Sequence, residues 1–123
     1  MTNAAFDEVI HAPLRLQICA MLSPVRGLPF SDIRDNLEIS DSVLSKHLST
    51  LTEAGYVEVL RVRADSRSRR QVSLTKPGRT ALRGHLAALQ VIAATAEPDK
   101  AEGVRAPVRR RAGRTTVLDP RTA

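Results

Sequence analysis

A mainly α-helical fold carrying one small β-hairpin is predicted by three observations. Only Phe6, Phe30 and Tyr56 are aromatic and Trp is absent, so the core must come from Leu, Ile, Val and Ala, which suits helix packing. Apolar residues recur at helical spacing in four segments. Two β-branched runs flank a single Arg-rich stretch, the pattern of a hairpin with a charged tip. With 123 residues the chain has the size of one domain plus a tail, divided here as 1–96 and 97–123.

The elements follow in order. From Ala4 to Leu22 the positions Phe6, Val9, Ile10, Leu14, Ile18 and Leu22 give one broken helix or two, with Pro13 at the break. Ser23 to Pro29 is dense in breakers and is expected to be a loop. A short helix then places Phe30, Ile33 and Leu37 on one face. Ser40-Asp41-Ser42 is a helix-start signature, because a serine oxygen can cap free amides and an aspartate suits the positive end of the helix dipole. The helix it opens is expected to reach Ala54, with Leu44, Leu48 and Leu51 buried, Ser42, Ser45, Lys46 and Ser49 on the opposite side, and Gly55 as its stop. The hairpin strands are expected over Tyr56–Val62 and Gln71–Leu74, with a bulge or an early exit from the sheet at Val59-Leu60, where alternation slips. Thr75 caps a last helix starting near Lys76-Pro77. Its stripe of Leu82, Leu86, Leu89 and Ala93 must pack on its own domain or on a second copy. Beyond Glu97-Pro98 the composition is that of a basic, disordered tail.

Charge is segregated. Residues 1–60 hold four basic side chains against eight acidic ones, whereas residues 61–96 hold eight basic side chains against Asp65 alone. Focused positive charge is the footprint of a polyanion-binding surface. The preference for Arg over Lys favours bidentate phosphate and guanine contacts; a GC-rich genome gives the same bias. Cys19 is the only cysteine, which leaves no disulfide within one chain, no Cys-cluster zinc site, and an expectation of a reducing cytoplasm. No apolar run has the roughly 20 residues of a membrane span, and the first residues lack the pattern of a signal peptide.

A helix, a short turn from Asn36 to Ser40, a second helix and a basic hairpin together make a winged helix-turn-helix. In that arrangement the second helix fits the major groove and the hairpin arginines meet phosphates or the minor groove. Leu14-Arg15-Leu16-Gln17-Ile18, Phe30-Ser31-Asp32-Ile33, Ser40 to Leu48, Leu51 to Val57 and Leu74 to Arg79 resemble the winged-helix bacterial regulators grouped around the MarR and ArsR types. The resemblance spans about residues 5–95 and is most specific from Leu44 to Val57. It implies a dimeric transcription factor whose terminal helices form the dimer interface, with Ser42, Ser45 and Lys46 at the DNA and Arg67 and Arg69 at the wing. Two departures stand out. Glu38 occupies a turn position often held by Gly, which predicts a strained or altered turn. The Cys-x-Cys and Asp-x-His motifs of metal-sensing relatives are missing, so no metal site is expected.

The resulting expectation is a non-enzymatic, sequence-specific, repressor-like homodimer on an inverted repeat of duplex DNA, without cofactor. Its recognition-helix contacts are Ser42, Ser45, Lys46 and Ser49. Its wing contacts are Arg63, Arg67, Arg69 and Arg70, and its dimer contacts are Leu82, Leu86, Leu89 and Ala93. No nucleophile elbow, Gly-rich phosphate loop or paired carboxylate and histidine on one helix face is visible. Competing readings are a protein-interaction module whose basic wing meets an acidic partner, which would account for Asp32, Asp35, Glu38 and Asp41 near the presumed DNA side, and a switch responding to a small-molecule effector. His47 at the stripe edge and Cys19 among apolar positions are expected to be structural. Arg109-Arg110-Arg111 either adds nonspecific DNA affinity or is simply solvated.

Overall fold

The computed structural model describes residues 3–64 and 67–96. The helices are α1 (Glu8–His11), α2 (Pro13–Leu22), α3 (Phe30–Leu37), α4 (Asp41–Glu53) and α5 (Lys76–Ala96), and the strands are β1 (Leu28–Pro29), β2 (Val57–Ala64) and β3 (Arg67–Leu74). The strands form one antiparallel sheet in the order β1-β3-β2. The chain divides into a compact unit ending at Leu89 and a second unit beginning at Gln90, of which the helical residues 90–96 are described and are all exposed. The expected tail 97–123, including Arg109–Arg111, lies outside the described residues, as do Asp65 and Ser66 at the hairpin turn. Among the described residues no helix is long and apolar enough to cross a membrane.

Four expectations are corrected. Helix starts at Glu8, not Ala4, because Asp7 takes the N-cap position and its Oδ1 accepts from the Ile10 N–H at 3.0 Å. The Ser23–Pro29 loop ends in a strand, since Leu28 and Pro29 pair with Val72 and Gln71. A two-residue strand with a proline on a sheet edge leaves almost no sequence pattern. The hairpin strands extend further toward the tip than expected, and their register runs without interruption from Val57↔Leu74 to Ala64↔Arg67. No bulge breaks it: alternation fails at Leu60 because Leu60 and Val62 lie on the outer sheet face, 55% and 41% exposed.

Ile10, Ile18 and Leu22 of the first two helices meet Ile33, Leu44, Leu48 and Leu51 of the next two, and Val57, Val72 and Leu74 close the core from the sheet. Leu82 of α5 joins them at 3% exposure. It therefore serves the core of its own chain and is withdrawn from the expected dimer stripe, whereas Leu86 is 42% exposed, Leu89 half-buried and Ala93 exposed. Thr75 caps α5 through its Oγ1, which accepts from the Gly78 N–H at 3.0 Å. Gly78 lies so close to the Tyr56 carbonyl that a Cβ would have no room.

The N-terminal segment is clasped to α5. The Ala5 N–H donates to the Gly84 carbonyl at 2.9 Å, and the Asp7 N–H donates to Nδ1 of the fully buried His85 at 2.9 Å. A neutral His85 then carries its proton on Nε2, 3.2 Å from His11 Nδ1, which must be the acceptor. Tyr56 donates its hydroxyl to Asp7 Oδ2 at 2.6 Å, which pushes the phenol up to about 12, with burial adding to the effect. Phe6 packs edge-on against the His85 ring at 4.6 Å. Cys19 is buried in the core; burial pushes its thiol up to about 11, so it stays protonated and inert.

Burial and then the neighbouring His11 hold His85 below the ordinary imidazole range, against the opposing pull of Asp7 and Glu8. The unfolded chain therefore takes up this proton first, and stability present above the ordinary histidine pKa of about 6.5 is lost as the pH falls through the lower folded value. Urea unfolding between pH 7.5 and 5 is expected to show a falling midpoint, and His85→Gln is expected to flatten the fall in part. The remainder belongs to His47, whose pKa is also lowered. Equal pH slopes in parent and variant would show that His85 is not the group responsible.

Candidate nucleic-acid interface

Only Glu38, Ile39 and Ser40 join α3 to α4. Glu38 adopts the left-handed conformation (φ 57°, ψ 48°), and its N–H and that of Ile39 close α3 on the Asp35 and Arg34 carbonyls at 3.3 and 3.2 Å. The turn thus has the positive φ that favours Gly, held by a residue with a Cβ. Ser40 caps α4, accepting from the Val43 N–H at 3.2 Å. Arg34 then locks the pair: Nε bonds Asp35 at 2.8 Å and a terminal nitrogen bonds Asp41 at 2.9 Å. Two of the four acids near this face, Asp35 and Asp41, are therefore paired within the motif.

Helix α4 buries Leu44, Leu48 and Leu51, which turns Ser42, Ser45, Lys46 and Ser49 to solvent. Its flank is tied back by Arg15, whose Nε donates to the Val9 carbonyl at 2.6 Å and whose terminal nitrogen lies 3.3 Å from His47 Nδ1. Burial first, then the charges of Arg15 and Lys46, lowers the His47 pKa. A neutral His47 accepts from Arg15, and this link between α2 and the recognition helix could not be seen in the sequence.

The hairpin register sorts the wing arginines by face. Arg61, Arg63 and Arg70 continue the face that lower down buries Val57 and Val72, toward α4. Arg69 falls on the other face with Leu60 and Val62. Arg61, Arg63 and Arg69 are exposed, Arg70 is half-buried, and the Arg67 side chain is outside the described residues. Arg70 does not extend freely into solvent: its guanidinium carbon lies 3.7 Å from the centroid of the Phe30 ring. Phe30, Ser45, Ser49, Glu53 and Arg70 line one open groove of about 320 Å³ between α4 and the sheet. The structure thus unites Ser45 and Ser49 with Arg70 but sets Arg69 apart. Arg61 was absent from the expected contacts although it faces the same way as Arg70.

A second open groove, of about 900 Å³, runs between the N-terminal segment and the first turns of α5, lined by Phe6, Tyr56, Lys76, Arg83 and Gly84 among others. Among the described residues no group of three or more His, Cys, Asp or Glu is placed to hold a metal ion.

A capped helix with an exposed polar face, set by a tight turn against a shorter helix and followed by a basic hairpin, defines a winged helix-turn-helix protein. The chain belongs to the winged helix DNA-binding domain family, whose model matches residues 14–93. This is a family of DNA-binding regulators, not of enzymes. A transcriptional regulator homologue from Pyrococcus horikoshii is 30% identical with a TM-score of 0.69, over 72% of this chain and 88% of that one. The YusO protein from Bacillus subtilis shares the fold at 22% identity and a TM-score of 0.59, over 68% of this chain and 59% of its own. An uncharacterized protein of Methanocaldococcus jannaschii is 25% identical over 79 residues, 64% of this chain and 86% of its own.

Holding a side-chain-bearing residue in the left-handed region costs about 1–2 kcal/mol, partly offset in a glycine variant by its looser unfolded chain. Glu38→Gly is therefore expected to stabilise the domain by about 1 kcal/mol in urea unfolding. A destabilised variant would show that the Glu38 side chain contributes more than its backbone strain.

Proposed function

We propose that the chain is a sequence-specific transcriptional regulator, repressor-like, that binds an inverted repeat of duplex DNA as a homodimer in the cytoplasm. The observation that carries this reading is one open groove in which Ser45 and Ser49, from the exposed polar face of α4, adjoin Arg70 of the wing. Lys46, with Ser42, Ser45 and Ser49, enters the major groove and meets base edges; the wing arginines take the backbone. Pairing uses the apolar residues that α5 leaves exposed or half-buried, Leu86, Leu89 and Ala93, widened by Ile92 at 52% exposure. Two-fold symmetry then sets half-sites about 10 bp apart.

The groove beside Tyr56, Lys76 and Arg83 supports a second layer, release by a small-molecule effector. A metabolite screen by thermal shift tests it, and a melting point that no compound moves would leave it without support.

Anisotropy of a duplex from the upstream region of the chain's own gene, against a scrambled duplex and across a salt series, tests the main reading. Lys46→Ala is expected to erase preference for the operator. Arg63→Ala, an exposed arginine on the sheet face toward α4, is expected to weaken both duplexes alike and to lower the salt slope by about one per chain. Sedimentation is expected to give a dimer. Variants that bind as the parent does would show that another face meets DNA, and equal weak binding of both duplexes by the parent would favour an interaction module.

A further inference from the structure

Arg70 occupies an unusual position for a wing residue. It lies on β3, the central strand, so it has a neighbour on each side. Across β2 it pairs directly with Arg61. On the other side Leu28 and Pro29 pair with Val72 and Gln71, and continuing that antiparallel register by one residue brings Phe30 beside Arg70. Phe30 is the first residue of α3 and is 5% exposed, fixed in the core, so its ring is a rigid platform. The guanidinium lies over it at 3.7 Å.

Two like charges directly opposite on neighbouring strands repel. Neither is neutralised, for among the described residues neither Arg61 nor Arg70 forms an ion pair. Glu53 lines the same groove but makes no contact of that kind. Stacking on an aromatic face leaves the planar fork of an arginine free to bond in its own plane, whereas an ammonium over the same ring has no planar fork to orient. A half-buried guanidinium with its orientation set, its N–H groups unclaimed by any described residue and a second arginine opposite is built to receive an oxyanion bidentately.

We propose that Phe30, Arg70 and Arg61 form a phosphate clamp at the root of the wing, in which Phe30 is the positioning residue that aims Arg70 at a DNA phosphate flanking the bases met by Ser45 and Ser49. The clamp rests on the DNA-binding reading above. It assigns Arg70 to the junction of wing and recognition helix and not to the wing tip, and it gives Phe30 a role beyond the core. Because Arg70 shares its groove with Ser45 and Ser49 of α4, the phosphate contact is made beside the polar face of that helix.

The test is operator anisotropy across a salt series, with melting temperature recorded for every variant. Arg70→Gln is expected to bind about tenfold more weakly, as for loss of one charge-assisted contact. Its salt slope is expected to fall by about 0.9 per chain, and Arg61→Gln is expected to lower the slope likewise. Arg70→Lys keeps the charge but loses the stack, so its slope is expected to stay parental while affinity drops several-fold. Phe30→Leu is expected to copy Arg70→Lys, and Phe30→Tyr to restore parental binding. Should Phe30→Leu unfold, the Arg70 variants decide the question alone. Parental affinity and slope in Arg70→Gln would overturn the clamp. Parental affinity in Arg70→Lys would overturn the role of the stack. A parent that binds no duplex at any salt would instead defeat the DNA-binding reading itself.

Discussion

The two-sided pairing of β3 is the constraint on which the placement of α3 and the wing depends. An isolated two-stranded hairpin is marginal in water, and a third strand, even one of two residues, helps to fix its twist and register. Here β1 supplies that third strand through Leu28 and Pro29 and passes directly into α3. The wing root, the first helix of the motif and the core beneath them are thereby placed by one set of backbone hydrogen bonds. Val72 and Leu74 point into the core from the same strand that aligns Arg70 with Phe30. A slip of one residue would turn all of them to the opposite face together.

Asp7 plays the corresponding part at the other side of the domain. Its backbone N–H donates to His85, one carboxylate oxygen caps α1 and the other receives the Tyr56 hydroxyl. One residue thus connects α5, α1 and the residue just before the wing. From α1 the Val9 carbonyl leads to Arg15, and Arg15 leads to His47 on the recognition helix. A continuous hydrogen-bonded chain therefore joins the helix proposed to pair two copies with the helix proposed to enter DNA. Each link has a fixed donor and acceptor, which makes the relative placement of α4 and α5 stiff.

Much of this was legible in the sequence wherever a local rule decides the outcome. The Ser40 cap, the Leu44-Leu48-Leu51 stripe, the Gly55 stop and the Thr75 cap all follow from short-range chemistry, and the structure has each in place, with Gly55 at a φ of 83°. What escaped notice depends on long-range pairing. β1 is too short to carry a pattern, and without it nothing connects Phe30 to Arg70. Leu60 and Val62 blurred the alternation because the wing leaves the core, so apolar residues on its outer face are not buried. His85 gave no signal at all: its partners lie 74 and 78 residues away. Leu82 looked like part of a pairing stripe because periodicity identifies an apolar face and does not say what covers it.

The segregation of charge follows from the same geometry. Of the eight acids of the first half, Asp35, Glu38 and Asp41 lie where α3 passes into α4, and there Arg34 ties Asp35 and Asp41 to the motif while Glu38, like Asp32 on α3, stays exposed. In the proposed complex their charge opposes indiscriminate approach of DNA to the recognition helix, while the wing arginines supply attraction that does not depend on sequence. Binding is then favourable only where base contacts by α4 repay the local repulsion. Strong attraction on the wing alone would hold any duplex equally well; placing part of it at the wing root, beside Ser45 and Ser49, makes the backbone contact available only when α4 is seated. In the proposed complex, discrimination between sites therefore arises from the coupling of the two elements, and that coupling is a consequence of where β3 puts Arg70.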